Sequence, residues 1–357
     1  MRDLKIGICG AGVLHTDAAI PDIDSCFRWA SEARVFDYLD RTPRAGEVGL
    51  YKAASQKYAL PIFSSGWYYT LGRDEALLER NLLIARECGA VNHNVQILEK
   101  NAAGAPVSNE DVVEIYLRAA EWGERLGVVP CFEVHINMWS EHFGRVGAVA
   151  TAVEARAVPF NMTLDHSHVI FKIGNPKEQA VQGLDADVAA GRLVLDPYAP
   201  GSVCQQWIDA EYVRQMHARP AVPNNPLNIW ARHPDGAFGR GVQYPFIEPR
   251  PGEWYEDWDE ARLEPWKKVV RDLLEHHARS PHSRLSNISL EMIPFADYGG
   301  GVKYSILENN IACAQWIRTE WHRILVELGE RDPVTSSASS RARTAECRPS
   351  PAPGHPR

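Results

Sequence analysis

The chain has 357 residues, 45% of them hydrophobic, so it is long enough to bury one large core. It carries 46 acidic and 38 basic residues, a formal net charge of -8, and the basic residues are scattered. A nucleic-acid backbone requires clustered positive charge, so we expect no nucleic-acid partner. Seven cysteines without a C-x-x-C pair are typical of a reduced, cytoplasmic protein. No signal-peptide pattern opens the sequence and no long apolar run predicts a membrane span, so we expect no membrane partner.

Strand-like apolar segments alternate with helix-like amphipathic segments along residues 1–330. The helical pattern is clearest at 75–87 and at 109–126, where Ser108 can cap the helix start. Eight strand segments in repeated βα order predict an α/β fold, a (β/α)8 TIM barrel. The strand segments are KIGIC, RVFDYL, LPIFSS, AVNHNVQIL, VVPCFEVH, FNMTLDH, YVRQMHA and NISLEM.

Two regions depart from a minimal barrel. The stretch between His217 and Glu291 is rich in Pro, Gly and Trp, which predicts a long functional loop after the seventh strand, a lid or a pocket wall. Such a loop suits a substrate bulkier than a triose, or a partner such as a second copy in a homo-oligomer. Residues 331–357 contain abundant Ser, Pro and Arg and almost no large apolar residue, which predicts a disordered tail.

Isolated acids end several of the apolar strand segments. Glu133 ends CFE, and His135, two residues later, shares its face of the strand. Asp165 and Glu291 end two further segments in the same way. A buried acid needs a positive partner, which is either an arginine in a structural ion pair or a metal ion. Because a parallel barrel gathers the carboxyl ends of its strands at one face, the recurring acids favour a metal site.

Histidines complete the expected donor set. In DHSH, Asp165 and His168 can turn toward one centre, whereas His166 should point away from it. His217 ends the seventh strand segment. His233 in NIWARHPDG is the alternative, but its Pro- and Asn-rich surroundings are less strand-like. Imidazole and carboxylate ligands suit Mn, Co, Fe or Zn, and carboxylate-rich sites suit Mn or Mg.

At these residues the chain resembles the xylose-isomerase-like TIM-barrel family of sugar isomerases and epimerases, over about residues 4–328. In that family one divalent cation is held by a Glu on the fifth strand, the Asp of a D-x-x-H motif on the sixth, a His on the seventh and a Glu on the eighth. The resemblance also implies that His168 contacts substrate. Arg219 matches the arginine of a family segment that often reads vHvRD, whereas Pro220 replaces its acid. The metal ligands implied by the resemblance are Glu133, Asp165, His217 and Glu291.

The resemblance further implies an isomerase or epimerase that moves a proton next to the carbonyl of a keto sugar or related polyol ketone. A divalent ion, manganese, magnesium, cobalt or zinc, would stabilise an enediolate. Glu133 and Glu291 would remove and return the proton. His135 or His168 would orient a hydroxyl, and Arg219 is a further substrate-binding candidate.

Tryptophans that we expect in loops after strands could form an apolar wall for a sugar ring. Trp67, Trp139 and Trp230 are the candidates, with Trp67 and Trp139 as the predicted substrate contacts. A tryptophan in such a loop is about as often part of the core.

Other functions use parts of the same pattern. A dehydratase or lyase on this barrel begins with the same proton abstraction, so only product analysis separates it from an epimerase. An apurinic endonuclease needs additional histidines and a D-R-H-like acid that the sequence does not show. KIGICGAG looks like the start of a dinucleotide-binding oxidoreductase, but His15 stands where the third glycine belongs. A non-catalytic sugar-binding protein is a further alternative, and it would bind a sugar without changing it chemically.

Overall fold

A closed barrel of eight parallel strands forms the centre of the protein. The structure is a computed structural model that describes residues 4–15, 19, 21–240 and 243–329. The barrel strands are β1 Lys5–Cys9, β2 Tyr38–Asp40, β3 Ile62–Tyr69, β4 Asn92–Ile97, β5 Val129–Glu133, β6 Met162–Leu164, β7 Val213–Ala218 and β10 Asn287–Leu290, and β8 Asn228–Arg232 and β9 Phe238–Gly239 form a separate hairpin. The order around the barrel is β1-β10-β7-β6-β5-β4-β3-β2. The predicted (β/α)8 TIM barrel is therefore confirmed.

Helices connect the strands and cover the barrel. They are α1 Ile23–Glu32, α2 Val48–Tyr58, α3 Glu75–Cys88, α4 Asn109–Leu126, α5 Phe143–Glu154, α6 Ser167–Ile170, α7 Pro176–Ala180, α8 Asp185–Ala189, α9 Val203–Asp209, α10 Glu264–Arg279 and α11 Ile306–Glu327. The predicted cap of α4 is present: the Ser108 side chain accepts a hydrogen bond from the Asp111 amide, and Asp111 accepts one from the Ser108 amide. None of the described helices is long and apolar enough to cross a membrane.

The glycines after β1 serve close packing. A Cβ added to Gly12 would lie 2.6 Å from the carbonyl oxygen of Met292 and 2.7 Å from Nδ2 of Asn310. Gly12 therefore allows the end of β1 to approach the loop after β10 and helix α11. Since β1 pairs in parallel with β10 and β2 inside a closed barrel, the dinucleotide-binding interpretation of KIGICGAG is wrong.

Polar side chains fill part of the barrel interior below the carboxyl ends of the strands. The Tyr38 hydroxyl lies 2.8 Å from Oγ of Ser289, and Nδ2 of Asn287 donates to the same hydroxyl at 2.8 Å. A Cβ on Gly7 would lie 2.3 Å from the Tyr38 ring, so Gly7 makes room for the tyrosine. These contacts join β10 to β1 and β2 and fix their register.

The predicted long connection between β7 and α10 is present, and it contains the β8–β9 hairpin, which the sequence analysis did not predict. The hairpin packs on residues 295–301, the loop that follows β10. Of the seven cysteines, the six within the described residues are free thiols. The predicted disordered tail, 331–357, lies outside the described residues.

Candidate metal centre

Glu133, His217 and Glu291 meet at the carboxyl end of the barrel. Nδ1 of His217 lies 2.9 Å from Oε1 of Glu133 and 3.0 Å from Oε2 of Glu291. One donor atom from each residue lies within 4.8 Å of the other two. Glu133 ends β5, His217 is on β7 and Glu291 directly follows β10, so parallel strands deliver all three to one face. We call them the three-residue group.

The donors of the three-residue group suit a divalent cation. Two carboxylates and one imidazole are ligands that Mn, Co, Fe and Zn accept. Burial lowers the pKa of His217, but the charges of Glu291 and Glu133 outweigh burial and raise the pKa well above its usual range. The two buried carboxylates thus favour a positive charge between them. Protonation of His217 supplies part of that charge, and a bound metal ion would supply more.

Two amide side chains orient Glu133. Nδ2 of Asn94 donates a hydrogen bond to Oε2 of Glu133, and so does Nε2 of Gln96. This leaves Oε1 of Glu133 facing His217. Sequence reasoning missed both amides. The two amides are two residues apart on β4, the strand beside β5, so their side chains lie on the same face. This spacing is the sequence pattern that could have identified them.

The far side of the His217 ring is also held. Its Nε2 lies 2.9 Å from Nε2 of Gln215 and 3.8 Å from Oδ2 of Asp40. Ser64 donates to Oε1 of Gln215 at 2.9 Å, and Ser289 donates to Oδ2 of Asp40 at 2.6 Å. Such outer contacts fix the orientation of an imidazole ligand.

Asp165, the predicted fourth ligand, lies outside the three-residue group. Its Oδ2 accepts from Nη2 and, at 3.1 Å, from Nε of Arg219, and lies 3.1 Å from Nε2 of His168. Its Oδ1 accepts from the amide and hydroxyl of Ser167. Burial raises the pKa of Asp165, but Arg219 and His168 outweigh burial and hold the pKa well below its usual range. Both oxygens of Asp165 thus accept hydrogen bonds, and its role as the fourth ligand stays a prediction.

Arg219 is buried and joins this ion pair to the three-residue group. Its Nη2 donates to Oε2 of Glu291 at 2.9 Å, and its guanidinium carbon lies 4.0 Å from the centre of the Tyr298 ring. Its Nη1 is buried and has no hydrogen-bond partner within the described residues. A buried donor of this kind calls for an acceptor, which a substrate oxygen can supply.

His135 and His168 lie side by side next to this arginine, with ring centres 4.3 Å apart. Nδ1 of His135 lies 2.6 Å from the carbonyl oxygen of Ile136, and its Nε2 lies 2.9 Å from the Tyr298 hydroxyl. Burial, reinforced by His168, lowers the pKa of His135 to about 3, so the ring is neutral. A carbonyl only accepts, so Nδ1 carries the proton and Nε2 accepts from Tyr298. Tyr298 was missed because it lies eight positions beyond the end of β10 and not at the strand end itself.

The two other histidines considered from the sequence, His166 and His233, lie outside the three-residue group. His166 points away from the site, as expected: its ring stacks on Trp266 and its Nε2 lies 3.1 Å from the Trp266 carbonyl oxygen. His233, the alternative seventh-strand ligand, lies between β8 and β9 with its Nε2 2.9 Å from Oδ1 of Asp297. His217, on the barrel strand, provides the imidazole of the three-residue group.

The structure separates the three tryptophans. The expectation that Trp67 lies in a loop is wrong, because β3 continues to Tyr69. The Trp67 ring stacks on the Tyr68 ring, with ring centres 5.3 Å apart. Trp139 is buried in the main hydrophobic core, in the short turn after β5. Trp230 is on β8, where its ring meets the edge of Tyr255.

A buried ion cluster beside the site was not foreseen. Nζ of Lys172 lies 2.8 Å from Oε1 of Glu141 and 3.5 Å from Oε2 of Glu178. Nη2 of Arg240 binds Glu141 at 2.5 Å and also binds Glu178. Burial raises the pKa of Glu141, but Arg240 and Lys172 outweigh burial and lower the pKa to about 2. The cluster ties the loops after β5 and β6 to the β8–β9 hairpin.

No family model matches the chain, and no curated protein matches its sequence. Solved structures do match. D-allulose 3-epimerase from Methylomonas sp. is 13% identical, with 90% of this chain and 99% of that chain covered at a TM-score of 0.53. A probable 3-DHS dehydratase from Bacillus anthracis is 12% identical, with 88% and 99% covered and a TM-score of 0.54. The IolI protein, with a bound zinc atom, is 13% identical, with 90% and 99% covered and a TM-score of 0.50. At these identities the likeness concerns the fold, and the chain has the fold of the xylose-isomerase-like TIM-barrel enzymes.

Proposed function

We propose that this chain is a divalent-metal-dependent isomerase or epimerase that acts on a keto sugar or a related polyol ketone. The observation that carries the proposal is the three-residue group, two carboxylates and an imidazole within 4.8 Å of one another at the carboxyl end of the barrel. Two solved structures of similar fold add support, because one is an epimerase in complex with D-allulose and another holds zinc.

The two glutamates are suited to proton transfer at carbon. Oε2 of Glu291 is engaged by Arg219 and His217, whereas no donor among the described residues binds its Oε1. That oxygen is free to take a proton from the carbon beside a carbonyl. Glu133 lies next to the same His217 nitrogen as Glu291 and is held by its two amide donors. It can therefore return a proton to the opposite face of the substrate carbon. A bound divalent ion would offset the negative charge that develops on the substrate oxygens.

Unsatisfied polar atoms next to the three-residue group favour a hydroxylated substrate. Nη1 of Arg219 and Nδ1 of His168 are both buried without a hydrogen-bond partner among the described residues. Nε2 of His168 lies 3.1 Å from Oδ2 of Asp165 but likewise makes no hydrogen bond among the described residues. The guanidinium donor and the imidazole nitrogens can bind a carbonyl oxygen and a hydroxyl of the same small molecule.

The experiment is a proton-exchange assay. The protein is stripped with a chelator, reloaded separately with Mn²⁺, Mg²⁺, Co²⁺ or Zn²⁺, and incubated in deuterated water with a panel of keto sugars. We expect deuterium at the carbon beside the carbonyl and a loss of exchange after chelation. Product analysis then separates an epimer or aldose from a dehydrated product, which would make the enzyme a dehydratase. Full activity after exhaustive chelation, or a requirement for NAD, contradicts the proposal.

A further inference from the structure

The loop after β10 places Tyr298 against the candidate site. Its hydroxyl lies 2.9 Å from Nε2 of His135, and its ring lies 4.0 Å from the guanidinium carbon of Arg219. The ring centre is 6.3 Å from that of His168. Tyr298 is 8% exposed and Arg219 is completely buried. The tyrosine therefore covers the arginine that binds both Asp165 and Glu291.

The β8–β9 hairpin holds this loop on both sides of Tyr298. Oδ1 of Asp297 accepts a hydrogen bond from the Arg240 amide at 2.9 Å and lies 2.9 Å from Nε2 of His233. Nδ2 of Asn228 donates to the carbonyl oxygens that flank the tyrosine, those of Ala296 and Gly300, at 3.0 Å each. The position of Tyr298 thus depends on an element outside the barrel.

Two glycines make this docking possible. A Cβ on Gly239 would lie 1.8 Å from the carbonyl oxygen of Ala296, so the hairpin backbone touches the loop backbone directly. Gly301 has a φ of +71°, and a Cβ there would lie 2.8 Å from the carbonyl oxygen of Trp230. Backbone contacts this close couple the position of the loop to that of the hairpin.

The ion cluster holds the other end of the hairpin. Arg240 binds Glu141 from the loop after β5 and Glu178 of α7, and both acids also contact Lys172. The hairpin is therefore attached to three connections around the barrel mouth, those after β5, β6 and β10.

We propose that Tyr298 is a specificity-determining residue that covers the site, and that Asp297 is the positioning residue that holds it there. The inference rests on the proposed function for the nature of the substrate. His217 is 4% exposed and Glu291 is 9% exposed, and Tyr298 packs on Arg219, which binds Glu291. The tyrosine hydroxyl donates a hydrogen bond to Nε2 of His135 and keeps a lone pair for a substrate hydroxyl.

The first experiment uses the metal alone. The protein is loaded with Co²⁺, and the rate at which EDTA removes the ion is followed by absorbance. We expect Asp297→Ala and Tyr298→Ala to speed removal by about tenfold or more, because local opening of the cover precedes release. Asp297→Asn keeps the Oδ1 acceptor and should stay near wild type. Removal at the wild-type rate from both alanine variants overturns the covering role, whether or not any sugar is turned over.

The second experiment uses the keto sugar found active in the exchange assay. Loss of one hydrogen bond to substrate in Tyr298→Phe should raise KM about tenfold and leave kcat within about threefold. Tyr304→Phe is the matched control, since this buried tyrosine belongs to a separate cluster and its hydroxyl accepts from Gln243. An unchanged KM in Tyr298→Phe overturns the specificity role. A wild-type protein inactive on every sugar counts against the proposed function, and the Co²⁺ rates then still decide whether Tyr298 covers the site.

Discussion

Arg219 binds Asp165 through both Nη2 and Nε, and its Nη2 also binds Glu291 of the three-residue group. One buried cation is therefore shared by acids from two strands. Together with a proton on His217, Arg219 offsets the buried carboxylates before any metal ion binds.

Asp165→Asn tests whether this acid is a ligand. Because its oxygens are already occupied by donors, we expect its replacement to lower the Mn²⁺ affinity by about tenfold, the size of an outer-contact effect. Glu291→Gln should lower the affinity further, since it removes a donor of the three-residue group. Calorimetric titration with Mn²⁺ measures both. Equal losses in the two variants would make Asp165 a metal ligand.

Glu291→Gln should leave the fold intact and remove nearly all turnover. The amide keeps the shape of the side chain but loses its charge and its capacity to accept a proton, so we expect a drop of about 10²–10⁴-fold in solvent deuterium exchange. Circular dichroism and the melting temperature report the fold. Glu124→Gln, an exposed position on α4, is the matched control. Wild-type exchange in Glu291→Gln would exclude Glu291 as the base.

Metal binding should release a proton from His217. The charges of Glu291 and Glu133 outweigh burial and raise the pKa of this imidazole well above its usual range, which favours its protonated form, with Nδ1 facing both glutamates. A metal ion must displace that proton. The apparent affinity of the protein for the metal ion should therefore fall about tenfold for each pH unit below the pKa of His217 and be constant above that pKa. Calorimetry at pH 7 in buffers of different ionisation enthalpy counts the protons. Binding heats that do not depend on the buffer would contradict this linkage.

Glu141→Gln should destabilise the protein strongly. It leaves Lys172, a fully buried cation, with a weaker set of partners, and we expect a loss of about 3–5 kcal/mol in the free energy of unfolding. Asp187→Asn breaks an exposed pair with Arg192 and should cost less than about 1 kcal/mol. Urea denaturation compares the two, and similar losses would contradict the expected role of burial.

The same cluster predicts acid sensitivity with a defined sign. The pKa of Glu141 falls from 4.5 to about 2 on folding, so its contribution is complete above pH 4.5 and is lost as the pH falls toward about 2. Urea midpoints measured across this range should decline more in wild type than in Glu141→Gln.

The sequence by itself determined the barrel and the places of its key acids. Repeated apolar segments can bury their surface only by pairing in parallel under helices, which brings strand ends to one face. Glu133, His217 and Glu291 could be identified because each interrupts or ends an apolar strand. The outward direction of His166 followed from strand alternation.

Only the tertiary structure decided which side chains complete the site. Tyr298 and His135 are 163 positions apart, and Arg219 and Asp165 are 54 apart, so no local pattern signals either contact. The amides that hold Glu133 look like ordinary strand residues until β4 is placed beside β5. The packing of neighbouring strands and of the β8–β9 hairpin decides which of these side chains are in contact. A buried charged side chain pairs with the opposite charge that this packing places next to it.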